Sequence, residues 1–348
     1  MVRYTREDGI PKKGGKGIQK THLLIGVLLV LGVAAIVGLG LFGEGSSPRG
    51  LEEGGKLKVI VSILPQKEFV EAVGGEHVEV SVLIPPGGSP ATYEPGPGDL
   101  AKVEDADVYF MIGHIPFELS HSGEFASLNP SMKMVDTSEN VKVRYFGENE
   151  EHSHGGEEGH EGEEAHGGEH EEEGFLEGLL GGEHDAEIDP HTWLSPMNVK
   201  VEVDSVAEAL IEMDPANEQE YLENAESYKL ELDALHDQIA SDLSRIRRDK
   251  LMVFHPAWGY FADEFGLEQI AIEQDGKEPT PAQLQELIDI ANEESINVIF
   301  VQSQFTKDIA DSIALEVGAL VVSVDPLAED YTANMENVGR TIAIYLNN

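Results

Sequence analysis

The sequence predicts an α/β fold with two lobes of mostly parallel sheet joined by one long rigid helix. Short apolar strands alternate with helical segments over residues 57–112, and the same alternation returns over 251–346. Between these halves, residues 217–247 contain no glycine or proline and carry an apolar stripe at helical spacing. Strands that alternate with helices form parallel sheets with right-handed crossovers, so each half is expected to build its own sheet.

The first lobe is assigned to residues 57–216 because of three predicted strands. The segments 57–63, 78–84 and 106–112 are short, rich in β-branched or aromatic residues, and bounded by glycine or proline. The sequence between the first two strands has a helical pattern. This alternation of strand, helix and strand predicts a parallel sheet in the first lobe.

Residues 217–247 are predicted to form the connecting helix. At 1.5 Å per residue, about 30 residues span roughly 45 Å, which is longer than a small lobe. We therefore interpret the segment as a stiff rod, with an ordinary surface helix and a coiled-coil arm as the alternatives. The apolar residues of its stripe are Tyr221, Leu222, Ala225, Tyr228, Leu232, Leu235, Ile239 and Leu243.

The second lobe is assigned to residues 248–348. It begins with a strand at 251–254 and then repeats the alternation of the first lobe. Pro281 marks the start of a helix, where a missing N–H costs nothing. The later elements are predicted as a helix over 281–293, a strand over 297–302, a helix over 306–317, a strand over 319–324 and a final helix over 332–346.

The N-terminus is predicted to be a membrane anchor. Six lysine and arginine residues lie within 1–22, and an uncharged apolar run of 20 residues follows at 23–42. Such a run is long enough to span a bilayer, and the basic residues before it place residues 1–22 in the cytoplasm. Residues 43–56 then form a flexible linker to an extracytoplasmic domain. A cleaved signal peptide and a buried core helix are the alternatives.

Composition excludes several classes of protein. Lys plus Arg number 23 and Asp plus Glu number 66, which gives a formal net charge of −43 and excludes a basic nucleic-acid binder. Cysteine is absent, so a bound metal would be held by His, Asp, Glu or water. The acidity suits either a solvated, salt-adapted surface or a field that collects cations, and composition alone favours the first.

A histidine- and glutamate-rich insert interrupts the first lobe at 148–187. It has few apolar residues before Phe175 and cannot pack, so we expect it to be disordered. Six imidazoles in 40 residues indicate weak, multiple binding of metals such as zinc, and a low-complexity spacer is the alternative. These accessory histidines are His152, His154, His160, His166, His170 and His184.

Polar residues stand where an open α/β sheet binds its ligands, beyond the carboxyl ends of strands. His255, Asp325 and His114 each follow a predicted strand, and His191 follows the insert in the sequence Asp-Pro-His. A lone histidine is more often a core or surface residue than a ligand. Taken as a set in both lobes, however, two imidazoles and a carboxylate are a ligand set for zinc or manganese.

Four motifs surround these residues. They are Asp189-Pro190-His191-Thr192-Trp193-Leu194-Ser195-Pro196, Phe254-His255-Pro256-Ala257-Trp258-Gly259-Tyr260-Phe261, Glu278-Pro279-Thr280-Pro281 and Val324-Asp325-Pro326-Leu327. In sequence and order they resemble the motifs of the zinc and manganese substrate-binding proteins of ABC transporters, over about residues 57–348. The acidic, histidine-rich insert ahead of the first motif resembles the zinc-specific branch of that family.

The resemblance implies two Rossmann-like α/β lobes joined by a rigid helix, with one metal in the cleft between them. Carried over by position, His191, His255 and Asp325 are the expected metal ligands. The family's first ligand is a histidine after the proline of a loop, and Ala91 occupies that position here. We favour His114 as the replacement, with a water, a histidine of the insert, or loss of affinity as the alternatives.

The expected function is capture of Zn(II) outside the cytoplasm and its delivery to a membrane permease driven by an ATPase. Mn(II) is the second choice of cargo. The chain is expected to be a monomer. It is also expected not to be an enzyme, because it has no HExxH motif. A surface-anchored metal buffer or adhesin and a metal-dependent hydrolase are the alternatives. Because neutral imidazole binds metal, capture should weaken below about pH 6.5.

Overall fold

The computed structural model describes residues 55–146, 187–273, 277–305 and 307–347, all within the compact unit Pro48–Asn348. Three predictions lie outside these residues: the basic segment at 1–22, the apolar run at 23–42, and the insert up to residue 186. Only the last two residues of the predicted linker are described. Within the described ranges, no helix has the length and apolar character needed to cross a bilayer.

The N-terminal lobe is built on a parallel sheet, as the sequence predicts, and this sheet has a fourth strand in addition to the three predicted. The strands are β1 (Leu57–Val61), β2 (Val78–Val82), β3 (Val108–Met111) and β4 (Lys133–Asp136), in the spatial order β2-β1-β3-β4. The helices of this lobe are α1 (Leu64–Gly74), α2 (Pro97–Asp105) and α3 (Pro116–Leu128). The central strand β1 is apolar at all positions except Lys58, because both of its faces are covered.

The C-terminal lobe repeats this arrangement. Its strands are β5 (Lys250–Val253), β6 (Glu268–Ala271), β7 (Val298–Gln302) and β8 (Leu320–Val324), in the order β6-β5-β7-β8 and again parallel. Its helices are α6 (Gly259–Phe265), α7 (Pro281–Glu293), α8 (Asp308–Val317) and α9 (Tyr331–Leu346). In both sheets the strand order reverses between the first and third strands, and ligands bind at such points.

Two long helices connect the lobes. They are α4 (Pro196–Met213) and α5 (Glu218–Leu243), which come between the two lobes in the chain. Helix α5 packs against α1 of the N-terminal lobe and against α9 of the C-terminal lobe. With 26 residues it is about 39 Å long. The predicted rod is therefore present, and it joins the two lobes.

The observed rod differs from the prediction in two details. It ends at Leu243 instead of residue 247, because the chain turns there and the Arg247 amide donates to the Leu346 carbonyl at 3.3 Å. The predicted stripe is buried except for Leu222, whose side chain is 44% exposed. Leu222 is adjacent in sequence to the buried Tyr221, so it points away from the face that packs against both lobes.

One carboxylate ties the rod and both lobes together. Glu68, on α1, accepts hydrogen bonds from the Tyr228 hydroxyl of α5 at 2.8 Å and from the Tyr331 amide of α9 at 2.5 Å. The Thr332 hydroxyl donates to the same carboxylate at 2.5 Å. The first backbone N–H groups of α9 have no partners within their own helix, so Glu68 caps α9 from the opposite lobe.

Candidate metal site

His191 lies immediately after the Asp-Pro step and before a short 3₁₀ turn, Thr192–Leu194. Its side chain is 11% exposed, and its Nδ1 lies 2.8 Å from Oδ1 of the fully buried Asp189. The same carboxylate oxygen accepts from the His191 backbone N–H at 3.1 Å. Because Asp189 accepts a hydrogen bond at Nδ1, the lone pair of the ring is left on Nε2, where a metal can bind.

His255 follows β5 and is fixed in a similar way. Its Nδ1 lies 3.0 Å from Oε2 of Glu273, a buried residue just beyond β6. Gln302, at the end of β7, bonds both backbone groups of His255: the His255 amide donates to Oε1 at 3.2 Å and Nε2 donates to the His255 carbonyl at 2.7 Å. The ring also stacks on Phe305, with 5.1 Å between ring centroids.

The two imidazoles meet between the lobes. Their ring centroids are 5.2 Å apart and the ring planes are inclined by 75°. Each ring is held through Nδ1 by its own carboxylate, which leaves both Nε2 atoms for a ligand. Metal-binding histidines characteristically donate their other ring N–H to a carboxylate in this way. The pair therefore has the chemistry of two zinc ligands.

Asp325 follows β8 in the C-terminal lobe, as the sequence predicts. Its Oδ1 accepts from the Leu327 amide at 2.9 Å and from Nε2 of Gln304 at 3.1 Å, which fixes the carboxylate. The loop of Asp325 is joined to the loop of His191, because the Trp193 indole N–H donates to the Pro326 carbonyl at 2.8 Å. This bond holds the two loops at one edge of the cleft.

The structure does not place the remaining candidate, His114, in contact with the two imidazoles. His114 follows β3 and is partly buried, but none of the contacts of the described residues joins it to His191 or His255. Ala91 is exposed on its loop. Within the described ranges, no three His, Asp or Glu side chains are gathered closely enough to hold a metal. The structure thus brings His191 and His255 together, and does not gather Asp325 or His114 around them.

Burial sets the charge state of the first imidazole. It lowers the pKa of His191, and the neighbouring His255 and Arg144 act in the same direction while Asp189 opposes them. The neutral form of His191 is therefore favoured near pH 7. Neutral imidazole is the form that binds a divalent metal, so this shift suits His191 to the role of a metal ligand.

Sequence reasoning missed two supporting residues of the site. Glu273 and Gln304 lie just beyond the carboxyl ends of β6 and β7, the edge at which an open α/β sheet binds its ligands. Glu273 could not be predicted because its strand gives no signal: β6 has four residues, begins with Glu-Gln and has no alternation of polar and apolar residues. A residue of this kind can be found only when its strand is recognised.

The described residues that flank the insert lie beside His191. Residues on either side of it form an antiparallel pair, in which the Phe146 amide donates to the Glu187 carbonyl at 2.9 Å and the Asp189 amide donates to the Arg144 carbonyl at 2.8 Å. We call this paired segment the stem. The ring of Phe146 lies 6.5 Å from the ring of His191. The stem is therefore next to the candidate ligand.

Two lobes of matching strand order, connected by long helices and with carboxylate-held imidazoles from each side meeting between them, define a two-lobed binding protein for a metal ion. The comparisons with known proteins agree. The family described as zinc-uptake complex component A, periplasmic (ZnuA), matches residues 59–344. The chain belongs to this family. By its description the family is a periplasmic transport component.

Relatives and solved structures of this family resemble the chain over most of its length. A crystal structure of ZnuA is 33% identical, with a TM-score of 0.70, over 83% of this chain and 99% of that chain. The high-affinity zinc uptake protein ZnuA of Bacillus subtilis is 28% identical over 77% of both proteins. The zinc-binding lipoprotein AdcA of Streptococcus pneumoniae is 29% identical over 78% of this chain, which spans half of that protein's length.

Proposed function

We propose that this protein captures Zn(II) outside the cytoplasm and delivers it to the permease of an ABC transporter, which an ATPase drives. The observation that carries the proposal is the pair His191 and His255, two carboxylate-held imidazoles whose ring centroids are 5.2 Å apart. Membership of the zinc-uptake family supports it. Zinc here is cargo, so its site must both fill and empty.

In this proposal His191 and His255 bind the ion through Nε2, and Asp325 contributes a carboxylate oxygen. Zinc takes four ligands in tetrahedral geometry and accepts nitrogen and oxygen donors together. Asp325 lies on a loop tied to that of His191 through Trp193 and Pro326. Movement of this loop toward the two rings would complete three ligands. The fourth is His114, a water or a histidine of the insert, and we favour His114.

Zinc is preferred to manganese because imidazole donors predominate. Manganese favours carboxylate, carbonyl and water ligands, whereas imidazole suits zinc. A manganese-binding lipoprotein of Halalkalibacterium halodurans is 25% identical over 86% of this chain, so Mn(II) is retained as the second cargo. Titration with both metals decides between them.

The N-terminal segments complete the proposal. Residues 23–42 anchor the protein in the membrane, residues 1–22 remain in the cytoplasm, and residues 43–56 tether the two-lobed domain outside. The apolar run of 20 residues after six basic residues supports this arrangement. An anchored capture protein stays close to its permease, where a released ion is taken up before it diffuses away.

The insert is proposed to collect zinc at weak sites beside the cleft. Replacing residues 148–185 with a short glycine-serine linker keeps the stem, because Phe146 and Glu187 remain. We expect calorimetric titration of residues 50–348 to show one tight zinc site in both forms, and weaker sites only in the form with the insert. Loss of the tight site together with the insert would contradict the proposal, because the cleft would then not bind alone.

His114 is tested by substitution with alanine in the form that lacks the insert. We expect zinc affinity to fall about 100-fold if its imidazole is a ligand, since one of four ligands carries about 3 kcal/mol of a zinc site's binding free energy. His121→Ala is the matched control, because His121 lies in the same lobe but faces Glu94 at 3.6 Å. Equal affinity for the two variants would give the fourth position to water.

A further inference from the structure

A buried arginine stands at the base of the stem, where the insert leaves the N-terminal lobe. The side chain of Arg144 is 9% exposed, and its Nη1 donates to Oδ2 of Asp189 at 3.1 Å. Asp189 is completely buried. A buried charge is tolerated only when it is paired, and breaking such a pair leaves the remaining charge uncompensated. The guanidinium of Arg144 therefore pairs with the carboxylate that holds His191.

The two oxygens of Asp189 have separate partners. Oδ2 faces Arg144, whereas Oδ1 accepts from the backbone N–H and from Nδ1 of His191, at 3.1 and 2.8 Å. With both oxygens occupied, the carboxylate cannot rotate without breaking a bond. The orientation of the imidazole thus depends on the guanidinium, even though Arg144 does not touch His191 in any hydrogen bond described.

The same arginine reaches the C-terminal lobe. Its Nε donates to Oδ2 of Asp263 at 3.0 Å, and its backbone N–H donates to the Tyr260 hydroxyl at 2.9 Å. Asp263 and Tyr260 lie on α6, which begins four residues after His255. Arg144 therefore contacts the support of His191 on one side and the helix that follows His255 on the other.

Close packing at the start of α6 reinforces this bridge. A Cβ atom on Gly259 would lie 2.4 Å from Nη1 of Arg144 and 2.6 Å from Oδ2 of Asp189. Only a glycine leaves room there for the ion pair. Gly259 therefore allows the start of α6 to pack directly against both the guanidinium and the carboxylate.

We propose that Arg144 is a positioning residue for metal capture, which orients the His191 ring through Asp189 and fixes it relative to the helix that follows His255. The proposal rests on the function proposed above. The role of Arg144 is to hold the two imidazoles in their mutual orientation before the ion arrives. Ordering the rings then costs little free energy when the ion binds.

The test uses the full chain in detergent micelles, as wild type and as Arg144→Gln. Long-range ¹H–¹⁵N spectra of the metal-free protein show which nitrogen of His191 carries the proton, and a competing chelator gives the zinc dissociation constant. For wild type we expect a single Nδ1–H form, and for Arg144→Gln we expect its loss and about 10- to 100-fold weaker zinc binding, the usual effect of losing an outer partner of a ligand. Arg340→Gln is the control, since Arg340 is exposed and bonds Glu336 of its own helix.

A second variant addresses the bridge and keeps the test valid if Arg144→Gln does not fold. Asp263→Asn removes the carboxylate of α6 that pairs with Arg144 and leaves the pair of Arg144 and Asp189 intact. We expect the Nδ1–H form to persist and zinc affinity to fall several-fold. Unchanged affinity in Asp263→Asn would overturn the bridging role, and a wild-type tautomer with wild-type affinity in Arg144→Gln would overturn the whole proposal. If wild type binds no zinc but Arg144→Gln alters the tautomer, the proposed function fails, and only the orientation of the His191 ring by Arg144 is supported.

Discussion

Replacing His255 with alanine is expected to weaken zinc binding by on the order of 100-fold. Zinc sites bind with roughly 10–16 kcal/mol, so one of four ligands carries about 3 kcal/mol, and each 1.4 kcal/mol is tenfold. His191→Ala should have a similar effect, because the two rings face each other in equivalent settings. Calorimetry with chelator competition, on the form that lacks the insert, measures both changes.

His77→Ala is the control for these variants. His77 lies near the start of β2 and bonds Glu220 on α5 at 3.0 Å, so its loss should leave the zinc affinity unchanged. Circular dichroism checks that all three variants keep the fold. Tight zinc binding by a folded His191→Ala, His255→Ala double variant would place the ion elsewhere and refute the proposed site.

The second large effect concerns stability. Glu202, on α4, is completely buried; its Oε1 accepts from the Thr192 hydroxyl at 2.7 Å, and its Oε2 has no hydrogen-bond partner among the described residues. Burial raises the pKa of Glu202 from 4.5 to about 8, with Asp136 and Glu118 contributing in the same direction. At 1.36 kcal/mol per pH unit, ionising this group in the fold costs about 5 kcal/mol.

Glu202→Gln should therefore stabilise the protein in a pH-dependent way. The folded state holds its proton more tightly than the unfolded state, so wild type loses stability as the pH rises from about 4.5 to about 8. We expect urea unfolding to give the variant an advantage of up to about 5 kcal/mol at pH 9 and little advantage at pH 4.5. The amide keeps an acceptor for Thr192.

Glu208→Gln is the matched control, since Glu208 lies on the same helix but is exposed. Its substitution should change the unfolding free energy by less than about 0.5 kcal/mol at every pH. An equal stabilisation by Glu202→Gln at pH 4.5 and pH 9 would show that the gain comes from packing and not from the removal of an ionisable group.

Elements with strong local signals were predicted well. The predicted bounds of helix α7 are those observed, because Pro281 marks its first turn; in the structure Thr280 also accepts from the Gln283 amide at its start. Helix α3 was not predicted. Its sequence mixes serine, glycine and histidine without an apolar face, and it is held by ring contacts to other elements, such as that of Phe125 with Tyr109 of β3. Contacts of this kind depend on the finished fold.

The candidate site likewise combines residues that local sequence predicts with residues that depend on the fold. His191 and His255 follow from motif and position, and the structure brings their rings together. Their outer partners differ: Asp189 is two residues from its histidine, whereas Glu273 comes from a neighbouring strand in the sheet. Local sequence can supply the first kind of partner. The second kind requires the pairing of β5 with β6, which the sequence does not specify locally.

The Glu68 cap has a consequence for how the molecule folds. Helix α9 is the last element of the chain, yet its first amides are satisfied by a carboxylate from the first helix of the N-terminal lobe. The N-terminal lobe thus caps two of the first amides of the final helix, while Asp330 of the C-terminal lobe caps a third. Although each lobe has its own sheet, the chain should melt as one cooperative unit, and neither half should be stable as an isolated fragment.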